Sequence, residues 1–382
     1  MRDALGVWPD GPAPHSRRVK FCECAGQRIY RSPGKDSFRL VADLWPTLTG
    51  RQLSPAKSAI QGSSLPAWHT SREVTLRQYN ACRFHKRTIM RRRTFSAAMA
   101  CSALGSTMIL PKKSFALAQQ GQMTAALQQL EAKAQGRLGV HVIDTANGHE
   151  FGYRSDETFM MLSSFKLLAS ALVLARVDRG QESLERRIRY RKQDLVPWSP
   201  VTEAYADGEG LTLAQLCHAT ITTSDNTAGN LILASYGGPK ALTQFARKVG
   251  DKVTRLDRIE PDLNIRVEGA TLDTTSPRAM AMTMNKLLVG DALSPTSRKL
   301  LRQWLLENTT GGKRLQAGVP ADWTVGDKTG TNKTDANDIG ILLPPQGAPV
   351  FVTAYLSDSP ATSQIKEETL AKVGRLAATG MR

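Results

Sequence analysis

Strand-like alternation falls at two distant places in this chain, and that separation limits the fold more than any other feature. Leu138 to Thr145 alternates with period two, Asn147-Gly148 is a hairpin turn signal, and His149 to Arg154 returns. The pattern then disappears until after Trp323, where Thr324 to Thr331, Ile339 to Leu343 and Val350 to Leu356 resume it. Almost everything between is helical in period. Phe165 to Arg179, closed by Gly180, is the most apolar stretch, yet it is too short and too quickly charged to span a membrane. One sheet completed by both ends of the chain, with an all-helical domain inserted, satisfies this order. The expected fold class is therefore α/β in the α+β sense: an antiparallel five-stranded sheet flanked by the amphipathic helices Met123 to Gln135 and Ser363 to Ala378. The sheet subdomain comprises 119–155 and 309–382, and the helical subdomain 156–308.

The formal charge of +17 resembles a polyanion-binding signal until it is divided along the chain. Residues 1–118 carry 20 Lys and Arg against 6 Asp and Glu, whereas 119–382 carry 31 against 28. The basic excess belongs to the leader, which removes the electrostatic case for a nucleic-acid partner. Within that leader, Met90-Arg91-Arg92-Arg93-Thr94-Phe95 gives a twin-arginine start, Phe95 to Leu110 is modestly apolar, and Ala116-Leu117-Ala118 is a small-x-small cleavage site. Residues 90–118 are thus expected to be a twin-arginine export signal cut before Gln119. The product would be periplasmic and monomeric, without a stable membrane anchor. Residues 1–89 lack apolar periodicity and are expected to be an over-extended start or a disordered leader.

Of the five cysteines, Cys22, Cys24, Cys82 and Cys101 precede that cut and leave Cys217 alone in an apolar helical setting. A buried inert thiol is expected there, with no disulfide. The histidines form no ligand cluster, so zinc chemistry, and any metal or organic cofactor, is not implied.

Three short motifs carry the chemistry. Ser-x-x-Lys occurs at Ser32, Ser54, Ser163 and Ser363, but only Ser163 is followed in order by Ser224-Asp225-Asn226 and Lys328-Thr329-Gly330. On a helix Ser163 and Lys166 lie one turn apart on one face, and a helix N-terminus would favour negative charge developing on the serine oxygen. A desolvated Lys166 near other cations could act as base. Alone, Ser224-Asp225-Asn226 would be a helix-capping turn, and Lys328-Thr329-Gly330 a strand with a bulge glycine.

Taken together, residues 120–380 resemble the class A serine β-lactamases, within the β-lactamase and penicillin-binding protein superfamily. The resemblance extends to Leu256-Asp257-Arg258-Ile259-Glu260-Pro261-Asp262-Leu263-Asn264, which is similar to the family's Ω-loop, and to Asp273-Thr274-Thr275. By resemblance Ser163 is the nucleophile, Ser224 relays a proton to the leaving nitrogen, and Glu260 with Asn264 holds the water that releases the acyl group. The acylation base stays open between Lys166 and a water on Glu260. Asn226 binds the substrate's side-chain amide, Lys328 and Thr329 its carboxylate, and the Thr331 N–H shares an oxyanion hole with that of Ser163. Gly330 permits close approach of the ligand to its strand. Trp198, within Val196 to Val201, forms a cleft wall. The carboxylate-binding arginine is assigned to Arg314, since Asn337 stands where many members carry one, and Ser170 stands where some carry cysteine. The implied substrate is a small β-lactam. A D-Ala-D-Ala peptidase and a β-lactam sensor share the three motifs, and deacylation separates them from a hydrolase.

Overall fold

The computed structural model describes residues 23–24, 27–31, 38–40 and 112–380, with side chains from residue 120 onward. The chain divides into two units, 1–99 and 100–382. The first holds an antiparallel sheet of β1 (Glu23–Cys24), β2 (Gln27–Arg31) and β3 (Phe38–Leu40). The export signal expected at 90–118 lies outside the described residues, apart from the backbone of its last turns.

The second unit opens with α1 (Lys112–Ala134), followed by β4 (Arg137–Asp144) and β5 (His149–Tyr153). α1 begins eleven residues before the expected Met123, because Lys, Ala, Leu and Gln sustain a helix after Pro111. β6 (Phe159–Met160) leads through a 3-10 turn at Leu162–Ser164 into α2 (Phe165–Val177). There follow β7 (Arg187–Ile188), β8 (Leu211–Thr212), α3 (Leu213–Thr222), α4 (Asn226–Ser235) and α5 (Gly238–Lys248). A long loop then reaches β9 (Thr274–Thr275), α6 (Pro277–Leu288), α7 (Pro295–Leu306) and α8 (Leu315–Gly318). The chain closes with β10 (Thr324–Thr331), β11 (Ala336–Leu343), β12 (Val350–Ser357) and α9 (Ser363–Gly380).

Strands β10-β11-β12-β4-β5 form one antiparallel sheet, so the expected fold class holds. β12 and β4 pair from Val350 opposite Asp144 to Ser357 opposite Arg137, which joins the late strands to the early ones. Side-chain alternation separates two cores. On β12, Val350, Val352, Ala354 and Leu356 face a core shared with Met123, Leu127, Leu130 and Leu370 of the terminal helices. Phe351 and Tyr355 face the core built around α2. α2 is buried from Phe165 to Ala175, which is why its sequence is apolar on every side. Asp178, at the end of α2, accepts from Ser294 N and from the hydroxyls of Ser294 and Ser297, and so ties α2 to α7, whose N-cap is Ser294 itself.

Two consequences position the site. β10 is an edge strand, so its outer side is available to a ligand. The 3-10 turn before α2 packs on that strand, and Asn337 on β11 donates from Nδ2 to Met160 O (2.9 Å) and Met161 O (3.2 Å). Among the described residues, no helix is long and apolar enough to cross a membrane.

Candidate active site

Ser163 lies in the 3-10 turn two residues ahead of the helix, with Leu162 before it at φ 49°. A left-handed leucine is an uncommon backbone state, and the surrounding contacts enforce it. Met161 N donates to Asp273 O at 2.8 Å, Asn337 holds the Met161 carbonyl, and β10 presses from the other side. Gly330 is what allows that pressing. A Cβ there would stand 3.0 Å from both Leu162 Cβ and Met161 O, and 3.3 Å from Ser163 N. The glycine therefore admits the turn that carries Ser163.

Lys166, one turn into α2, is fully buried and is the hub of the site. Its Nζ lies 3.0 Å from Ser163 Oγ, 2.9 Å from Ser224 O, 2.5 Å from Asn226 Oδ1 and 3.0 Å from Glu260 Oε1. Burial pulls the lysine pKa below its ordinary value, and the nearby carboxylates of Glu260 and Asp225 oppose that pull. Ser163 Oγ also sits 3.3 Å from Glu260 Oε1, so one hydroxyl is within reach of two proton acceptors.

Ser224, in the left-handed region at φ 59°, turns its hydroxyl between two lysines. Lys328 Nζ donates to Ser224 Oγ at 3.0 Å, and Lys166 Nζ stands 3.4 Å from the same oxygen. The cap residue of the motif is Asp225. Its Oδ1 accepts from Ala228 N at 2.8 Å, while Oδ2 accepts from Val201 N and Thr202 N, each at 2.9 Å. One buried carboxylate thus starts α4 and ties down the loop carrying Trp198. Asn226 N donates to Trp198 O at 2.9 Å, and Asn226 Nδ2 donates to Pro197 O at 2.8 Å. The second proton of Nδ2 is still available to a ligand. Trp198 is 65% exposed, at φ 66°, with its indole N–H donating to Thr223 O at 3.0 Å.

Glu260 reaches Lys166 from the 256–275 loop. Asn230, one turn after Asn226 on α4, grips its backbone at both atoms: Nδ2 donates to Glu260 O and Oδ1 accepts from Glu260 N, each at 2.9 Å. Asn264 Nδ2 donates to Glu260 Oε2 at 2.5 Å, leaving Oε1 to Lys166 and Ser163. The loop's neck is closed by Asp273, which accepts from Asp257 N, Arg258 N and Arg258 Nε.

A cleft of about 410 Å³ is lined by Ser163, Trp198, Ser224, Asn226, Asn264, Thr310, Arg314, Thr329 and Thr331. Lys166, Glu260, Lys328 and Gly330 stand behind these residues rather than in the wall. Lys328 is fully buried, and its Nζ donates to the hydroxyl of Ser224, which does line the cleft. Burial and the cations Lys166 and Arg314 push the Lys328 pKa well down. Arg314 does reach the wall: Nη1 donates to Gly330 O (3.0 Å) and Asn337 O (2.7 Å), and Nη2 to Thr331 Oγ1 at 2.7 Å.

Sequence reasoning missed Thr310, Asn230 and the buried carboxyls Asp327 and Asp338. Asn230 was findable, since it follows Asn226 by four residues and so shares its helix face. Burial raises the pKa of both Asp327 and Asp338; the Asp327 carboxyl pushes Asp338 further up, whereas the hydrogen bond with Asp338 pulls Asp327 back down, so the pair's proton rests on Asp338. The fourth Ser-x-x-Lys match is structural: Lys366 Nζ donates to Lys333 O at 2.7 Å. Cys217 is buried and its thiol is pushed up to about 12 by burial. Among the described residues, no group of His, Cys, Asp and Glu could hold a metal ion.

A serine whose hydroxyl meets a buried lysine and a loop-held carboxylate, with a second serine set between that lysine and another, defines a serine acyl-transfer site. The family model of the β-lactamase enzyme family matches residues 122–380. A β-lactamase of Streptomyces albus G is 41% identical over 309 residues, covering 75% of this chain and 96% of its own. β-Lactamase L2 of Stenotrophomonas maltophilia is 42% identical over 290 residues, covering 74% and 95%. Among solved structures, an ancestral (GNCA) class A β-lactamase is 55% identical with a TM-score of 0.66, covering 67% of this chain and 98% of its own. The chain belongs to the β-lactamase enzyme family and is a class A serine β-lactamase.

Proposed function

We propose that the hydrolysis runs through an ester on Ser163, which a water activated at Glu260 then breaks. The observation that supports this reading is the placement of Lys166 Nζ (3.0 Å) and Glu260 Oε1 (3.3 Å) on the same serine oxygen. Ser163 attacks the lactam carbonyl and gives its proton to Lys166 or to a water held by Glu260. Ser224, bridging Lys166 and Lys328, delivers a proton to the departing ring nitrogen. Once the acyl group occupies Ser163, Glu260 is free to take a proton from water, with Asn264 holding its other oxygen. The substrate carboxylate lies against Thr329, Thr331 and Arg314, backed by the charge of Lys328. Its side-chain amide lies at Asn226, and Trp198 walls the opposite side.

Steady turnover of a chromogenic cephalosporin, with Glu260→Ala accumulating a Ser163 adduct by mass spectrometry and Ser163→Ala accumulating none, tests this assignment. A single stoichiometric burst from the unaltered protein would sink it in favour of a sensor or a D-Ala-D-Ala peptidase. We also read the chain as an exported, monomeric resistance enzyme. That reading requires a product beginning at Gln119 in the periplasm and a raised minimal inhibitory concentration in the host that makes it.

A further inference from the structure

Thr310 lines the cleft but has no part in the reaction proposed above. Its segment is pinned to the far side of the site, because Thr309 N and Thr309 Oγ1 both donate to Thr222 O at 2.9 Å. Hydrogen-bond directions around Thr310 can be assigned by elimination. Its backbone N–H donates to Asn308 Oδ1 at 3.1 Å, and because a backbone N–H only donates, that amide atom is the oxygen. The Thr310 hydroxyl lies 2.9 Å from the same oxygen, so its single proton goes there. With that proton on Asn308 Oδ1, Thr310 accepts and Thr329 donates in the 2.6 Å contact between Thr310 Oγ1 and Thr329 Oγ1.

Thr329 therefore turns its proton toward Thr310 and its lone pairs toward the cleft. An anionic ligand group at Thr329 needs the opposite polarity. The reversal orphans no atom: the Thr310 hydroxyl rotates to donate to Thr329, and Asn308 Oδ1 keeps the Thr310 N–H. Arg314, with Nη2 on Thr331 Oγ1 at 2.7 Å, supplies the positive charge on the same wall.

We propose that Thr310 is a positioning residue for Thr329. The relay Asn308–Thr310–Thr329 draws the Thr329 proton onto Thr310, and lets that hydroxyl turn to donate into the cleft when a carboxylate-bearing ligand binds. The inference rests on the reading of this cleft as the β-lactam site. Its test compares Thr310→Val and Thr310→Ser, using a carboxylate-bearing cephalosporin and phenylboronic acid, which engages a nucleophilic serine but carries no carboxylate. T310V should raise KM for the cephalosporin about five- to tenfold, the worth of one net hydrogen bond, with kcat within about twofold. T310S should restore KM, and the boronic acid inhibition constant should be unchanged in both variants. An unchanged KM in T310V, or an equal loss of boronic acid affinity, would overturn the relay. An unaltered protein that neither turns over the cephalosporin nor binds the boronic acid would overturn the serine-site reading instead.

Discussion

The two walls that bring Lys328 and Glu260 to the same cleft are held by different means. β10 is fixed by main-chain pairing with β11 along its whole length, from Thr324 opposite Leu343 to Thr331 opposite Ala336. The 256–275 loop has almost no such ladder, and side chains do the holding: Asn230 on the Glu260 backbone, Asp273 across the neck and Leu263 as a buried plug. A ladder spreads its stabilisation over many equivalent bonds, whereas a clamp concentrates it in a few. The wall proposed to bind substrate should therefore tolerate substitution better than the loop proposed to release product.

The comparison is challenged most strongly at Glu260. Glu260→Gln should lower kcat by about 10²- to 10⁴-fold, the range of a lost general base, with the acyl-enzyme accumulating in rapid-quench experiments. An equal loss of the acylation burst would erase the distinction between the walls. Next in size is the clamp. Asp273→Ala strands the partly buried Arg258 (22% exposed), and should cost about 3 kcal/mol in denaturant unfolding while slowing deacylation more than acylation.

On the strand side the effects are expected to be subtler. Because burial and neighbouring cations lower the Lys328 pKa, kcat/KM should fall on an alkaline limb lying below pH 10.5. Lys328→Arg, which cannot lose its proton in that range, should remove this limb from the pH profile. The smallest effect belongs to Asp338. Its folded pKa is raised by burial, so its contribution to stability is complete below the ordinary carboxyl value and is lost as pH rises through the raised one. Asp338→Asn carries no titrating proton, and its amide oxygen can still accept from Leu315 N, as Oδ2 does at 3.0 Å. Its Tm relative to the parent should therefore climb between pH 4.5 and 7.5, by about 2–4 °C for each kcal/mol relieved. A difference independent of pH would show that the pair does not hold a proton.

The same contrast separates what was legible in the sequence from what was not. Thr324–Thr331 was readable to the residue, because a strand announces itself in its own alternation. α3, Leu213–Thr222, was readable for the same local reason. The 3-10 turn at Ser163 was not, because Leu162 is held left-handed by Asn337 and Gly330, which are far away in the chain. The packing of Gly330 against that turn, and the hydrogen bond of Lys328 to Ser224, likewise join segments far apart in the chain. Thr310 carries no motif, and only its place against Thr329 marks it.

By itself the sequence determined the order of the main strands and helices and which residues carry groups able to react. These follow from periodicity and from chemistry that each residue carries with it. Only the tertiary structure decided that Ser163, Ser224, Asn226 and Glu260 all converge on one buried ammonium, with Lys328 behind Ser224. Hydrogen-bond geometry, desolvation and the direction of a hydroxyl proton depend on neighbours brought from distant parts of the chain. No local stretch of residues encodes them.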